Sequence, residues 1–65
     1  MGGAAIYHVA RSMGRWMVEE EGSDPAATCS DKATAVRLAQ ELARARRARL
    51  VLHRDDGSVH AEHHY

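Results

Sequence analysis

Asp31-Lys32-Ala33-Thr34-Ala35-Val36-Arg37-Leu38-Ala39-Gln40-Glu41-Leu42-Ala43-Arg44-Ala45-Arg46-Arg47 is the stretch that decides the fold. Ala35, Val36, Leu38, Ala39, Leu42 and Ala43 recur so that, at about 3.6 residues per turn, they form one broad apolar stripe. Arg37, Gln40, Glu41 and Arg44 take the opposite side. Asp31 is placed to cap the helix, because a carboxylate there accepts from the unpaired amides of the first turn. The spacing therefore predicts one amphipathic helix over 31–47. Its many alanines let it lie close to whatever it covers.

Both flanks read as strands. On the amino-terminal side, Ala5 to Ser12 and Arg15 to Glu21 are joined by Met13-Gly14, a short link with the glycine that a tight hairpin needs. That link sets Arg11 against Trp16, Val9 against Val18 and Tyr7 against Glu20. Alternation along each strand then gathers Tyr7, Val9, Trp16 and Val18 on one side, the larger and more aromatic set, which is assigned to the core. Ile6, His8, Ala10, Met17 and Glu19 fall on the other side. Gly22-Ser23-Asp24-Pro25 is a turn cluster, and Ala26 to Cys29 is a short third strand. On the carboxyl-terminal side, Arg49 to Arg54 and Ser58 to His64 flank Asp56-Gly57, a type I′ hairpin signal. This register places Leu50, Leu52, Val59 and Ala61 under the helix. Arg49, Val51, His53, His60, Glu62 and His64 share the outer face, with His53 opposite His60. The order is β-β-β-α-β-β: an α+β domain with a small antiparallel sheet and one amphipathic helix packed on one face. Residues 1–65 make one domain, with 1–4 as a loose start.

Several pieces now stand together: Tyr7-His8-Val9, then Trp16-Met17-Val18 after a glycine turn, and Asp31-Lys32-Ala33 opening an alanine-rich helix through Glu41-Leu42-Ala43. Leu50-Val51-Leu52-His53 with Asp56-Gly57 and a closing Tyr65 complete the set. The pattern resembles the domain-of-unknown-function 2188 family, small bacterial proteins, over nearly the whole span from Tyr7 to Tyr65. The matching positions are structural rather than catalytic, so the resemblance implies a fold and brings no enzyme, cofactor or substrate. The run Glu19-Glu20-Glu21 departs from the usual mixed-charge second strand.

Composition narrows the function. Nine basic and nine acidic residues cancel, so the chain lacks the overall positive field of a nucleic-acid binder. Its one cysteine, Cys29, allows no internal disulfide and fits a reducing, cytoplasmic setting, where it reads as a small core residue. Met1 to Ile6 is too short and too little apolar for a signal peptide or a membrane span. No nucleophile elbow or glycine-rich phosphate loop is present, Asp55 and Asp56 read as turn residues, and a chain this short has little room for a ligand pocket. The expectation is a protein that is not an enzyme and needs no cofactor.

Two clusters invite a binding role. His53, His60, Glu62 and His64 on adjacent strands have zinc-ligand chemistry, but nothing in the sequence supplies supporting partners, so they read as a solvated face with no metal. Arg44, Arg46, Arg47 and Arg49 could grip phosphate, but cations also suit the end of a helix.

The face left uncovered by the helix is the candidate interaction surface: Ile6, Ala10, Met17 and Val51, flanked by His8, His53 and His60. That mixture is too apolar for solvent and too polar for a core, which is the make-up of an interface. A domain of this size is also short of core, and association is a common remedy. The sequence thus points to a self-associating or protein-binding module, a homodimer with no membrane role. The alternative is a weak nucleic-acid binder using the sheet face or the basic helix end, which Glu19 and Glu21 on that face disfavour.

Overall fold

The computed structural model describes residues 5–65, and the loose start expected at 1–4 lies outside the described residues. The elements are β1 (Ile6–Ser12), β2 (Arg15–Glu20), β3 (Pro25–Cys29), α1 (Lys32–Arg46), β4 (Arg49–His53) and β5 (Val59–His64). They form one five-stranded sheet in the order β3-β2-β1-β4-β5. The antiparallel sheet expected from the sequence is mixed in one place: β1 and β4 run parallel. The reason is the helix. A helical crossover returns the chain to the end of the sheet from which β3 began, so the next strand runs in the same direction as β1 and β3.

The first hairpin forms as the sequence predicts. Met13 and Gly14 both have positive φ, 51° and 78°, the type I′ turn that matches strand twist. Tyr7 faces Glu20, Val9 faces Val18 and Arg11 faces Trp16. The helix is capped by Asp31, whose carboxylate accepts from the Thr34 amide at 2.9 Å. It ends where Arg47 turns left-handed and the Ala48 amide reaches back to the Ala43 carbonyl.

Ala35, Ala39 and Ala43 are buried in a line along the helix, one turn apart, and meet Tyr7, Val9, Trp16, Val18, Leu50 and Leu52 from the sheet. Trp16 is therefore a core residue, and Cys29 packs half-buried at the edge of the same cluster. Small side chains on the helix leave the volume to the sheet's larger ones, which is how so short a chain fills its core.

The second hairpin departs from the expected register. Arg54 accepts from the Gly57 amide at 2.9 Å and donates to the Ser58 carbonyl at 2.8 Å, so the loop holds three residues, Asp55, Asp56 and Gly57. Gly57 alone takes positive φ, 92°. This is a type I turn closed by a left-handed glycine in place of the two-residue type I′ turn. The Asp56 carboxylate accepts from the Ser58 amide and hydroxyl, at 2.9 and 2.7 Å, which favours the longer loop. The extra residue shifts the pairing by one, and a bulge between Leu52 and His53 shifts it back. Leu52 still faces Ala61, but His53 faces Val59.

Candidate functional site

The helix covers one face of the sheet, and the candidate surface is the other. Pairing fixes its layout. On β1 it carries Ile6, His8 and Ala10, in the middle of the sheet. Beside them on β2 stand Met17 opposite Ala10 and Glu19 opposite His8, and the Glu21 amide bonds the Ile6 carbonyl. On the other side stand Arg49 opposite Ile6, Val51 opposite His8, and then His53. Glu62 and His64 continue the face on β5, against Val51 and Arg49.

Six of the seven residues expected here are found here: Ile6, His8, Ala10, Met17, Val51 and His53. The seventh, His60, is elsewhere. The bulge turns it toward the helix side, where its Nδ1 lies 3.4 Å from the ammonium of Lys32, itself 5.1 Å over the Trp16 ring. Val59 takes the place opposite His53 and is 55% exposed. The expected His53–His60 pair is therefore not formed.

Val51 is the least expected of the group. No helix lies over it, yet it is 8% exposed. It sits between His8 and Glu62 in register, in a face whose neighbouring side chains are long. Ile6, His8, Ala10, Met17, Glu19 and His53 are half-buried. The face is thus a partly roofed surface with one buried apolar centre.

His8 joins two partners that sequence reasoning did not connect. Its Nε2 lies 2.8 Å from Glu21 Oε1, and its Nδ1 lies 3.0 Å from His53 Nε2. The other nitrogen of His53 lies 3.1 Å from the Gly57 carbonyl oxygen. Alternation along β2 puts Glu21 on the same face as Glu19, and its diagonal relation to His8 is the signal that would have found it. Among the described residues, no group of three or more His, Cys, Asp or Glu is placed to hold a metal ion.

Charge on the face is mixed: Arg15, Glu19 and Glu21 stand on or just past β2, His8 on β1, Arg49 and His53 on β4, and Glu62 and His64 on β5, with Arg49 held 3.1 Å from Glu62. The basic run is dispersed. Arg46 donates to Glu20 and to the Tyr7 hydroxyl, Arg44 lies over the Tyr65 ring, and Arg47 forms the helix cap. The chain also has more concavity than its length suggests, in two open clefts of ≈ 310 and ≈ 410 Å³. One is lined by Arg47, Arg49, His64 and Tyr65, the other by Lys32, Arg54, Asp56 and His60. No helix is long and apolar enough to cross a membrane among the described residues.

Residues 7–65 match the family described as an uncharacterized protein conserved in bacteria, DUF2188. No curated protein and no solved structure matches the chain.

Proposed function

The chain belongs to the DUF2188 family, and from that premise we propose that it is a non-catalytic, self-associating module of the bacterial cytoplasm whose uncovered sheet face docks on a second copy of itself. The observation that carries this reading is the placement of one acid and one base, Glu21 and Arg49, on that face. Glu21 and Arg49 both stand level with Ile6, on opposite sides of β1. Rotation by two-fold symmetry about an axis along β1 lays β2 of one copy over β4 of the other. Glu21 then stands over the partner's Arg49, while Ile6 and Ala10 meet their own counterparts. An axis across the strands would instead set acid against acid, which costs binding. The same patch is buried on both copies, as closed two-fold assembly requires.

The available area is sufficient. Five strands ~4.8 Å apart and about six residues long present roughly 500 Å² per copy, so a face-to-face pair reaches the ~1,000 Å² at which specific interfaces begin. The acidic β2 side also argues against nucleic acid on this face, where phosphates would have to approach Glu19 and Glu21.

Sedimentation at micromolar concentration tests the reading. The native chain should run as a dimer, and Met17→Glu and Ala10→Arg should each give a folded monomer. A native chain that stays monomeric there overturns it. Salt separates this from phosphate binding: association through this face should persist at moderate salt, whereas phosphate contacts weaken steeply.

A further inference from the structure

Three hydrogen-bonding contacts run in series across the uncovered face: Glu21 Oε1 to His8 Nε2, His8 Nδ1 to His53 Nε2, and His53 Nδ1 to the Gly57 carbonyl. All six atoms carry lone pairs when unprotonated, so each contact needs one proton, and only one, between its two atoms. The carbonyl has none to give, so His53 must donate there. A carboxylate and two neutral imidazoles bring two protons in all. One contact is then left with lone pair facing lone pair. Two imidazolium rings bring four protons and set N–H against N–H at 3.0 Å. Three protons satisfy all three contacts at once.

The ring geometry agrees. The centroids of His8 and His53 are 5.2 Å apart, with planes tilted by 29°, while the facing nitrogens are 3.0 Å apart. The excess is roughly two ring radii, so both nitrogens lie near the line joining the centroids. The rings meet edge to edge, with the lone pair of one aimed at the nitrogen of the other, which is the arrangement of an N–H···N hydrogen bond. A metal ion ~2.1 Å from each nitrogen on that line would need about 4 Å between them, which the pair does not offer.

We propose that His8 and His53 bind one proton between them as a unit, forming a proton-dependent latch across the uncovered face. It ties the end of β2, the central strand β1 and the β4–β5 turn. Glu21 supplies the negative charge that offsets the shared proton. The other charged groups facing it are Glu19 on β2, cross-strand from His8, and Arg49 on β4, which Glu62 of β5 engages at 3.1 Å. His64 on β5 lies 3.9 Å from that same Glu62, and α1 packs on the opposite face. A second proton drives the two rings apart. Loss of the shared one leaves one of the three contacts without a donor, which releases the two rings from each other, Glu21 or the turn. The latch closes within a single copy and does not depend on self-association.

Imidazole ¹⁵N spectra of the full labelled chain across pH test it. At neutral pH, three of the four ring nitrogens of His8 and His53 should carry protons, one in each of the three contacts. In Glu21→Gln the amide can turn its NH₂ toward His8 Nε2, so the pair should drop to two N–H. In His8→Gln the amide can offer its NH₂ to His53 Nε2, so His53 should keep a single N–H, on Nδ1 toward the Gly57 carbonyl. Two or four N–H groups in the native chain at neutral pH overturn the proposal. So does a His53 in His8→Gln that still carries protons on both ring nitrogens. Should the variants fail to fold, the native spectra alone decide.

Discussion

The guanidinium of Arg46 donates to the hydroxyl of Tyr7 at 2.9 Å, which fixes the last turn of the helix over the central strand. The same Nη1 donates to Glu20 at 2.8 Å, and the Arg46 carbon lies 5.8 Å from the Tyr7 ring centre. The Tyr7 bond, and after it Glu20, holds the Arg46 pKa above its ordinary value. Tyr7 is a buried core residue, so its hydroxyl depends on this partner. Tyr7→Phe should cost about 0.5–1.5 kcal/mol. Arg46→Met should lower the melting temperature further, since it leaves the hydroxyl unpaired and frees Glu20. The double variant should be less destabilised than the two single effects added together. Strict additivity in thermal unfolding would show that the two side chains act separately.

Trp16 anchors the other end of the core. It is buried among Val9, Val18 and the helix alanines, with the Lys32 ammonium 5.1 Å over its ring. Alanines cannot collapse into the space it would leave. Trp16→Ala should cost roughly 3–5 kcal/mol, comparable with the whole stability of so small a domain. Loss of far-UV helix signal at room temperature, or a collapsed melting transition, is the expected readout. An unchanged melting temperature would contradict the assignment of this face to the core.

What could be read in the sequence, and what could not, divides at the two hairpins. Met13-Gly14 left one solution, and every pair from Tyr7–Glu20 to Arg11–Trp16 followed from alternation. Asp55-Asp56-Gly57 left two, because a left-handed glycine closes either a two-residue or a three-residue loop. The Asp56–Ser58 contacts go with the longer one, and sequence periodicity does not register a side-chain to backbone bond. The compensating bulge kept Leu50 and Leu52 in the core and moved only His60 and Val59. That is why six of seven candidate surface residues were legible and the histidine pairing was not. The actual pair, His8 with His53, is 45 residues apart on strands joined in parallel. No local pattern distinguishes that neighbour from the others that the crossover allows.

Met13 is the clearest place to improve the chain. It is 98% exposed and held at φ 51°, where a side chain crowds its own backbone. Asparagine tolerates this conformation, and Asn-Gly is the favoured type I′ pair. Met13→Asn should stabilise by about 0.5–1 kcal/mol and raise the melting temperature by several degrees. A melting temperature that stays level or falls would show that the turn is not under strain.

Acid should destabilise the chain through its two capping carboxylates. The Asp31 carboxylate is held below its ordinary value of 3.8, first by the Thr34 amide and then by the Thr34 hydroxyl. Asp56 is lowered from the same value by the Ser58 amide and hydroxyl. In both cases the folded chain holds its proton less tightly than the unfolded chain. Between the folded and unfolded pKa values the unfolded state therefore binds more protons, and stability rises with pH. The stabilisation is fully present above about pH 4 and fades as pH falls below 3.8 toward the lower folded values. Asp31→Asn keeps a side-chain acceptor for the Thr34 amide but removes the titrating group, so its melting temperature should fall less between about pH 6 and about pH 3 than that of the native chain. Asp56→Asn should act in the same direction from the β4–β5 turn, which shares a cleft with Lys32 beside the helix cap, and the double variant should show the shallowest dependence of all. Thermal unfolding at the two pH values, at fixed ionic strength, measures the slopes. If both single variants lose as much on acidification as the native chain, the acid sensitivity lies in other groups and the two caps are not its source.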